Sequence, residues 1–235
     1  MIAPVERRTR CLLAALFVSL TSGPARASDP WELWPELDLY KTLGSTTRLY
    51  FAAAYAKGKE AEYLTLDTAG YFDLTLEPIF WPSLRAADWR GKRYFWARAG
   101  YDQVFKAKDL TASPSEERGI VALHARGYLP EEIRVEARAR ADLRWIDGDY
   151  STRYRFRIEV NRDFDVCDHV VTPWIQAEWF YDTRYDGLAR QLYQAGAELG
   201  VTQHFRLEPS LARQLDRFPD RSGLWAIALV ARWYY

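Results

Sequence analysis

Cysteine, methionine and histidine are scarce in this chain of 235 residues, and neither sign of charge is in excess. The sequence holds 2 Cys, 1 Met and 3 His, and its 32 Lys and Arg are balanced by 32 Asp and Glu. So few cysteines exclude a disulfide-stapled scaffold, and the balanced charge gives no reason to expect nucleic acid as a partner. No apolar run approaches the ~20 residues of a membrane-spanning helix, which excludes a polytopic helical membrane protein.

Large aromatic side chains are abundant instead. The chain carries 10 Trp, 15 Tyr and 11 Phe, and 49% of its residues are hydrophobic. This content excludes an intrinsically disordered chain. The apolar residues are interleaved with charges rather than pooled, which is typical of amphipathic elements.

Residues 1–27 predict a secretory signal peptide. A basic start at 7–10 is followed by an apolar run at 11–20 and by Ala-Arg-Ala, a small-x-small cleavage pattern that ends at Ala27. The apolar run is too short to anchor the chain as a helix in a bilayer. We therefore expect export, cleavage after Ala27, and a mature chain of one domain over residues 28–235.

The mature chain alternates apolar and polar residues with a period of two. The clearest window has an apolar face and a charged face: Ile133, Val135, Ala137, Ala139, Ala141, Leu143 and Trp145 against Arg134, Glu136, Arg138, Arg140, Asp142 and Arg144. A helix would mix these two sets around its circumference, whereas a strand separates them. Residues 150–161 repeat the pattern after Asp147-Gly148, a turn signal.

The same pattern predicts eleven strands. They lie near residues 34–41, 46–56, 62–76, 93–105, 118–128, 133–145, 150–161, 169–182, 189–201, 203–214 and 222–235. Bacterial transmembrane barrels have an even strand number, so we expect twelve strands, with ten as the alternative. An additional strand around Trp31 or within 77–89 would supply the twelfth.

Period-two alternation is compatible with a water-soluble barrel and with a barrel in lipid. Strands of about 11 to 14 residues are longer than most soluble strands and suffice to cross a bilayer. The last strand ends on Trp233 and Tyr235, which resembles the outer-membrane assembly signal of bacterial barrels. Further aromatics near strand ends predict interfacial girdles: Trp145, Trp179, Tyr181 and Trp225. We therefore expect an all-β, antiparallel up-and-down transmembrane barrel, with a soluble periplasmic barrel that binds an apolar ligand as the alternative.

In a lipid-facing barrel the charged face lines the lumen. The predicted charge ladder comprises Arg134, Glu136, Arg138, Arg140, Asp142, Arg144, Arg153, Arg155, Arg157 and Glu159. A four-residue loop over 147–150 would place Arg138 opposite Glu159, whereas a two-residue loop would oppose Glu136 to Glu159. Because opposed like charges destabilise a sheet, we expect the four-residue loop. The ladder could be an anion-attracting constriction or a solvated network that fills a narrow barrel.

The direction of the strands can be predicted from the C-terminus. If the last strand runs toward the periplasm, short links near 129–131 and 201–203 are periplasmic, and longer links at 106–117 and 215–222 are external. This agrees with the short turns and long loops of outer-membrane barrels.

Candidate catalytic and metal-binding residues are few. His204 and Ser210 lie roughly 20 Å apart along one strand, too far for a hydrogen-bonded catalytic pair. His124 shares a face with Arg126, and the segment 163–169 contains three aspartates, Cys167 and His169 in a spacing typical of a polar turn rather than a metal site. We expect no catalytic residue, no metal and no cofactor, and an enzyme acting on lipid or lipopolysaccharide remains an alternative.

Three segments resemble the bacterial outer-membrane barrels of the domain of unknown function 2490 family. They are the opening Trp31-Glu32-Leu33-Trp34-Pro35-Glu36-Leu37-Asp38-Leu39, the ladder Arg153, Arg155, Arg157 and Glu159, and the stretch from Gly187 through Gly196. The resemblance implies a barrel in the outer membrane of a Gram-negative bacterium, and it implies no activity. We expect a monomeric, porin-like protein that is structural or a narrow passage for small solutes. Its expected partners are outer-membrane lipid, lipopolysaccharide and the assembly machinery.

Overall fold

The computed structural model describes residues 30–44, 46–58, 64–76, 95–107, 115–166, 169–217 and 222–235. The predicted signal peptide, residues 1–27, and the segment 77–89 therefore lie outside the described residues. Within the described residues, no helix is long and apolar enough to cross a membrane. A single turn of 3-10 helix, Pro130–Glu132, is the one helical element there.

Twelve strands make up the sheet. They are β1 Trp31–Thr42, β2 Thr47–Gly58, β3 Leu64–Thr75, β4 Phe95–Ala107, β5 Glu116–Tyr128, β6 Arg134–Ile146, β7 Asp149–Asn161, β8 Phe164–Val166, β9 His169–Asp182, β10 Gly187–Gly200, β11 Phe205–Asp216 and β12 Ser222–Tyr234. Consecutive long strands pair antiparallel, and β12 returns to pair with β1, so the sheet closes into an up-and-down barrel. Each of the eleven predicted strands is confirmed to within three residues.

Strand β8 continues β7, so the two together form one strand of the barrel wall. We call each such wall strand a stave. Asn161 pairs with Trp174 of β9, and Phe164 of β8 then pairs with Val171 of the same strand, which continues the same register. The interruption lies opposite Pro173, whose nitrogen cannot donate a hydrogen bond to the ladder. The described part of the wall therefore has eleven staves and twelve strands, and the region of Trp31 belongs to β1 itself.

Closure of the barrel explains why the stave number is odd. β1 and β12 pair parallel over ten residue pairs, from Trp31 with Trp225 to Tyr40 with Tyr234. An even number is required only when the first and last strands close antiparallel. A parallel seam also satisfies the backbone groups of both edges, so an odd ring leaves no edge open.

We call the two ends of the barrel upper and lower according to the connections that each carries. The upper end carries the β2–β3, β4–β5, β6–β7, β9–β10 and β11–β12 connections, and the lower end carries the others together with the C-terminus. The longest connection, residues 76–94, joins β3 to β4 at the lower end. The four links named from the sequence lie at the expected ends, 129–131 and 201–203 at the lower and 106–117 and 215–222 at the upper, but the longest link does not follow this asymmetry, so connection length alone does not orient this barrel.

Alternation along each strand puts apolar side chains outside and charged ones inside. Large exposed hydrophobic residues cover the exterior, among them Leu37, Phe51, Leu123, Phe156 and Leu229. The buried set is instead rich in charge, with Asp73, Asp102, Asp142 and Glu178 each at most 2% exposed. This is the reverse of a water-soluble barrel and the arrangement of a barrel whose exterior faces lipid.

Candidate functional site in the lumen

All ten residues of the predicted charge ladder lie on the inner face of β6 and β7. Glu136, Asp142 and Arg144 are buried, whereas the intervening Ala139 and Trp145 are exposed on the outside. The inner face follows from the period of two, because every second side chain of a strand points to the same side.

The register between β6 and β7 differs from the prediction. Asp147 and Gly148 form a two-residue turn with φ of 53° and 92°, so Ile146 pairs with Asp149. Glu136 consequently lies opposite Glu159, and Arg138 lies opposite Arg157. The expected four-residue loop is wrong because Asp-Gly suits a tight type I′ hairpin turn, whose twist matches that of the strands.

Partners on neighbouring strands compensate these opposed like charges. Glu136 accepts hydrogen bonds from Arg126 (2.8 Å) and Arg157 (3.1 Å). Glu178 of β9 accepts from Arg138 (2.5 Å) and from Arg155 (2.9 Å). The energy of pairing between β6 and β7 alone therefore could not predict the register. Opposite charges also come from the other neighbour of each strand, which is β5 for β6 and β9 for β7.

A compact layer of paired groups lies in the upper lumen. Arg144 donates to Glu116 and to Asp182 (2.5 Å), and Arg153 donates to Asp182 at 2.9 Å. We call Glu116, Arg144, Arg153, Phe180 and Asp182 the upper layer. Asp182 is completely buried and Phe180 is 4% exposed, and Ala212 and Ala226, two and three staves along the wall from β9, are also completely buried. The upper layer therefore packs paired, largely buried side chains against the upper wall of the lumen at β5, β6, β7 and β9.

Below the upper layer the lumen contains a cavity of about 1020 Å³. Its lining includes Gly44, Gln203, His204 and Tyr235 at the lower end, and none of the upper-layer residues contributes to it. The cavity, which we call the cup, therefore reaches the lower end of the barrel, and its lining extends to Trp34, Asp67 and Arg118 in the upper halves of β1, β3 and β5. Seven ladder residues line it: Arg134, Glu136, Arg138, Arg140, Arg155, Arg157 and Glu159. Asp142, Arg144 and Arg153 do not.

A stack of four tyrosines runs along one side of the cavity. Tyr234, Tyr40, Tyr50 and Tyr71 stack in that order across β12, β1, β2 and β3, with ring centroids 4.9, 4.5 and 4.9 Å apart. The guanidinium of Arg98 lies over Tyr50 and Tyr71, and those of Arg48 and Arg206 lie over Tyr40 and Tyr234. Neighbouring rings and guanidinium groups therefore cover the faces of the tyrosines.

A second charged cluster lies beside the tyrosine stack. Arg232 of β12 donates to Glu198 (2.6 Å), Glu208 (2.6 Å) and Asp38 (3.3 Å). Asp38 also accepts from the hydroxyl of Tyr50 at 2.8 Å. Sequence reasoning missed Asp38 and Arg232. Asp38 and Arg232 each lie two residues before an inward tyrosine, Tyr40 or Tyr234, and this spacing was an available signal. Their proximity to one another depends on the parallel pairing of β1 with β12.

The predicted girdle residues divide between the two ends of the barrel. Trp145, Trp179, Tyr181 and Trp225 lie toward the upper end, and Trp233 and Tyr235 lie at the lower end. Trp225 stacks on Trp31, Trp179 on Phe156, and Trp233 contacts Phe205 and Tyr235. Aromatic rings thus mark both rims of the apolar exterior, as interfacial girdles do.

The histidines do not form a catalytic pair within the described chain. Nδ1 of His124 lies 3.3 Å from Glu136, and the ring stacks on Trp96. Nδ1 atoms of His169 and His204 contact the carbonyl oxygens of Gly200 and Tyr234. Cys167 lies outside the described residues, and among those described no cluster of three or more His, Cys, Asp or Glu could hold a metal ion.

Comparisons with known proteins add information on the fold. No protein-family model and no curated protein matches the chain. A solved structure, the β domain of the Bordetella autotransporter Brka, is similar with a TM-score of 0.50 and 15% sequence identity, over 83% of this chain and 86% of that chain. At this identity the similarity supports the closed β-barrel fold alone.

Proposed function

We propose that the chain is an integral outer-membrane β-barrel of a Gram-negative bacterium, exported with a cleaved signal peptide over residues 1–27. Its apolar exterior and aromatic rims support insertion in lipid, since the same exterior in water would be a large exposed hydrophobic surface. The same feature argues against the soluble periplasmic alternative. We orient the lower end toward the periplasm, because the C-terminal Trp233 and Tyr235 resemble the signal for the assembly machinery.

The proposed role is a narrow passage for small polar solutes. The observation that carries it is the cavity of about 1020 Å³, which is lined by charged side chains and reaches the lower end of the barrel. Polar walls replace part of the hydration of a solute, which an apolar lumen could not do. The upper layer packs buried side chains into the lumen beside the cavity, so we propose that it restricts passage and that the conductance is small.

Membership of the domain of unknown function 2490 family is part of the proposal. The segments that carry the resemblance become the seam strand β1, the lumen face of β7 and the first ten residues of β10. We further propose a monomer without cofactor or enzymatic activity, surrounded by outer-membrane lipid and lipopolysaccharide. The histidine geometry supports this, because the hydrogen bonds described for the three rings lead to a carboxylate and two carbonyls rather than to serine.

Two measurements test the proposal. Heat-modifiable migration in detergent gels, together with a requirement for detergent during extraction, is expected of the barrel; release by salt alone would identify the soluble alternative. Planar-bilayer recording of the purified protein is expected to give small, discrete conductance steps. If the barrel is heat-modifiable but gives no conductance, the proposed passage is wrong and the structural role is favoured.

The enzyme alternative has its own test. Lipase and deacylase activity of the wild type is compared with that of the His124→Ala and His204→Ala variants. We expect no turnover in any of the three, whereas turnover that either substitution abolishes would contradict a purely passive barrel.

A further inference from the structure

Charge is unevenly distributed around the cavity. Among the described residues that line it, those on β5, β6 and β7 comprise seven arginines and two carboxylates. Those on the other staves comprise four arginines and seven carboxylates. The cavity is therefore close to neutral as a whole, while one wall carries excess positive charge and the rest carries excess negative charge.

Ion pairing preserves this imbalance. On the positive wall Glu136 is shared by Arg126 and Arg157, and Glu178, from the adjacent β9, is shared by Arg138 and Arg155, while Glu159 pairs with Arg157 at 3.7 Å. On the other side Arg232 is shared by Asp38, Glu198 and Glu208, and Arg206 also pairs with Glu198. Four arginines face three carboxylates in the first cluster and two arginines face three carboxylates in the second, so each cluster keeps an excess of one sign.

The two clusters lie across the lumen from one another. In a ring of eleven staves, β12 and β1 are each five staves from β6, in opposite directions around the ring, which is the opposite side of the barrel. Arg232 and Asp38 lie on β12 and β1, and Arg138 lies on β6. The low-dielectric wall concentrates the resulting field in the lumen.

We propose that the cavity takes up small zwitterions, with the solute carboxylate at the arginines of β6 and β7 and the solute ammonium at the carboxylates around Arg232. This inference rests on the proposed passage and names its solute class. Guanidinium–carboxylate pairing favours the first contact and ammonium–carboxylate pairing the second. A solute with only one sign of charge is attracted by one wall and repelled by the other. An uncharged sugar gains from neither wall, and the covered tyrosine faces offer it no stacking surface.

Solute-dependent swelling of proteoliposomes tests the proposal. The full chain is reconstituted and exposed to isotonic glutamine, arabinose, glutamate or lysine, which are zwitterionic, uncharged, net anionic and net cationic solutes of similar size. We expect glutamine to enter about threefold faster than each of the others. Equal or faster entry of arabinose would overturn the inference, as would faster entry of glutamate or of lysine.

Charge-neutralising variants locate the effect. Arg138→Gln and Glu208→Gln each remove one charge from one of the two clusters, while Glu178 keeps Arg155 and Arg232 keeps Glu198 and Asp38. Both variants are expected to bring the glutamine-to-arabinose ratio close to one. Arg162→Gln is the matched control, because Arg162 pairs with Glu131 on the exposed lower rim and does not line the cavity. A preference that survives both cluster variants would contradict the proposal.

Failure of the passage is distinguishable from failure of the solute class. If no solute causes swelling, the proposed passage is wrong, and binding is then measured by the fluorescence of Trp34, Trp96 and Trp174, which line the cavity. Saturable quenching by glutamine that arabinose does not reproduce, and that Arg138→Gln weakens, would support a zwitterion-binding cup. The absence of a glutamine-specific change would overturn the inference.

Discussion

The upper layer and the cavity below it are built from the same residue types on the same strands, yet one is closed and the other is open. In the upper layer Asp182 is shared by Arg144 and Arg153, and Glu116 joins the same chain of pairs. Around the cavity, pairs also form between adjacent staves, but arginines are in excess on one side and carboxylates on the other. The difference teaches that paired groups of balanced charge exclude solvent, whereas an excess of one sign on each side of the cavity leaves charge that solvent or a solute must satisfy.

The largest effect is expected when the upper layer loses its shared carboxylate. Asp182→Ala leaves Arg144 and Arg153 without their common acceptor in a buried site, which should lower the free energy of unfolding by about 3 to 5 kcal/mol. Urea unfolding in detergent, followed by heat-modifiable migration, measures it. Asp216→Ala is the control, because its partner Arg190 is partly exposed and the loss should stay below about 1 kcal/mol. Similar losses in the two variants would remove the distinction between a buried layer and a solvated rim.

The next largest effect is expected on the apolar exterior, which surrounds both the upper layer and the cavity. Ala139 lies on the outside of β6 between Leu123 and Phe156, so Ala139→Arg should destabilise the inserted barrel by about 2 to 4 kcal/mol and lower the folded fraction in membranes. Its neighbour on the inner face is the control. Arg138→Ala should be milder because Glu178 keeps its bond to Arg155. Equal tolerance of both substitutions would contradict the assignment of the two faces.

A smaller effect is expected at the turn between β6 and β7, which sets the register of these two strands in both the upper layer and the cavity wall. Gly148 has a φ of 92°, and no heavy atom lies within 4 Å of a Cβ built on it, so any cost of Gly148→Ala is conformational. We expect a loss of about 1 kcal/mol in the free energy of unfolding. Gly127→Ala is the control, since its site is equally open and its φ is not positive. A neutral Gly148→Ala would indicate that the tight turn does not determine the pairing of Glu136 with Glu159.

Much of this fold could be predicted from residue alternation, because strand position and face depend only on neighbours along the chain. Arg138 and Ala139 were thereby assigned to opposite faces. Register and closure depend on residues far apart in sequence. The pairing of Glu136 with Glu159 was mispredicted because cross-strand charge alone was weighed, and the partners Arg126 and Glu178 lie on other strands.

The candidate site could be predicted only in part, for the same physical reason. The charge ladder follows from the pattern within β6 and β7, and it was identified. The tyrosine stack and the cluster around Arg232 assemble across the seam between β1 and β12. An assumed even strand number conceals that seam, because it implies antiparallel closure. The direction of charge segregation across the lumen therefore became visible only with the order of all eleven staves.

The most direct test of the closed layer against the open cavity is a comparison of conductance. Arg144→Ala removes the side chain that links Glu116 to Asp182, while Glu116 keeps Arg118 and Asp182 keeps Arg153. The layer should thin without leaving a carboxylate unpaired, and single-channel conductance should rise about threefold or more, because the narrowest filled level limits passage. Arg138→Ala widens a level that is already open and should change conductance by less than about twofold. If both variants conducted alike, the resistance of the lumen would not reside in the upper layer, and the cup would have to be closed elsewhere.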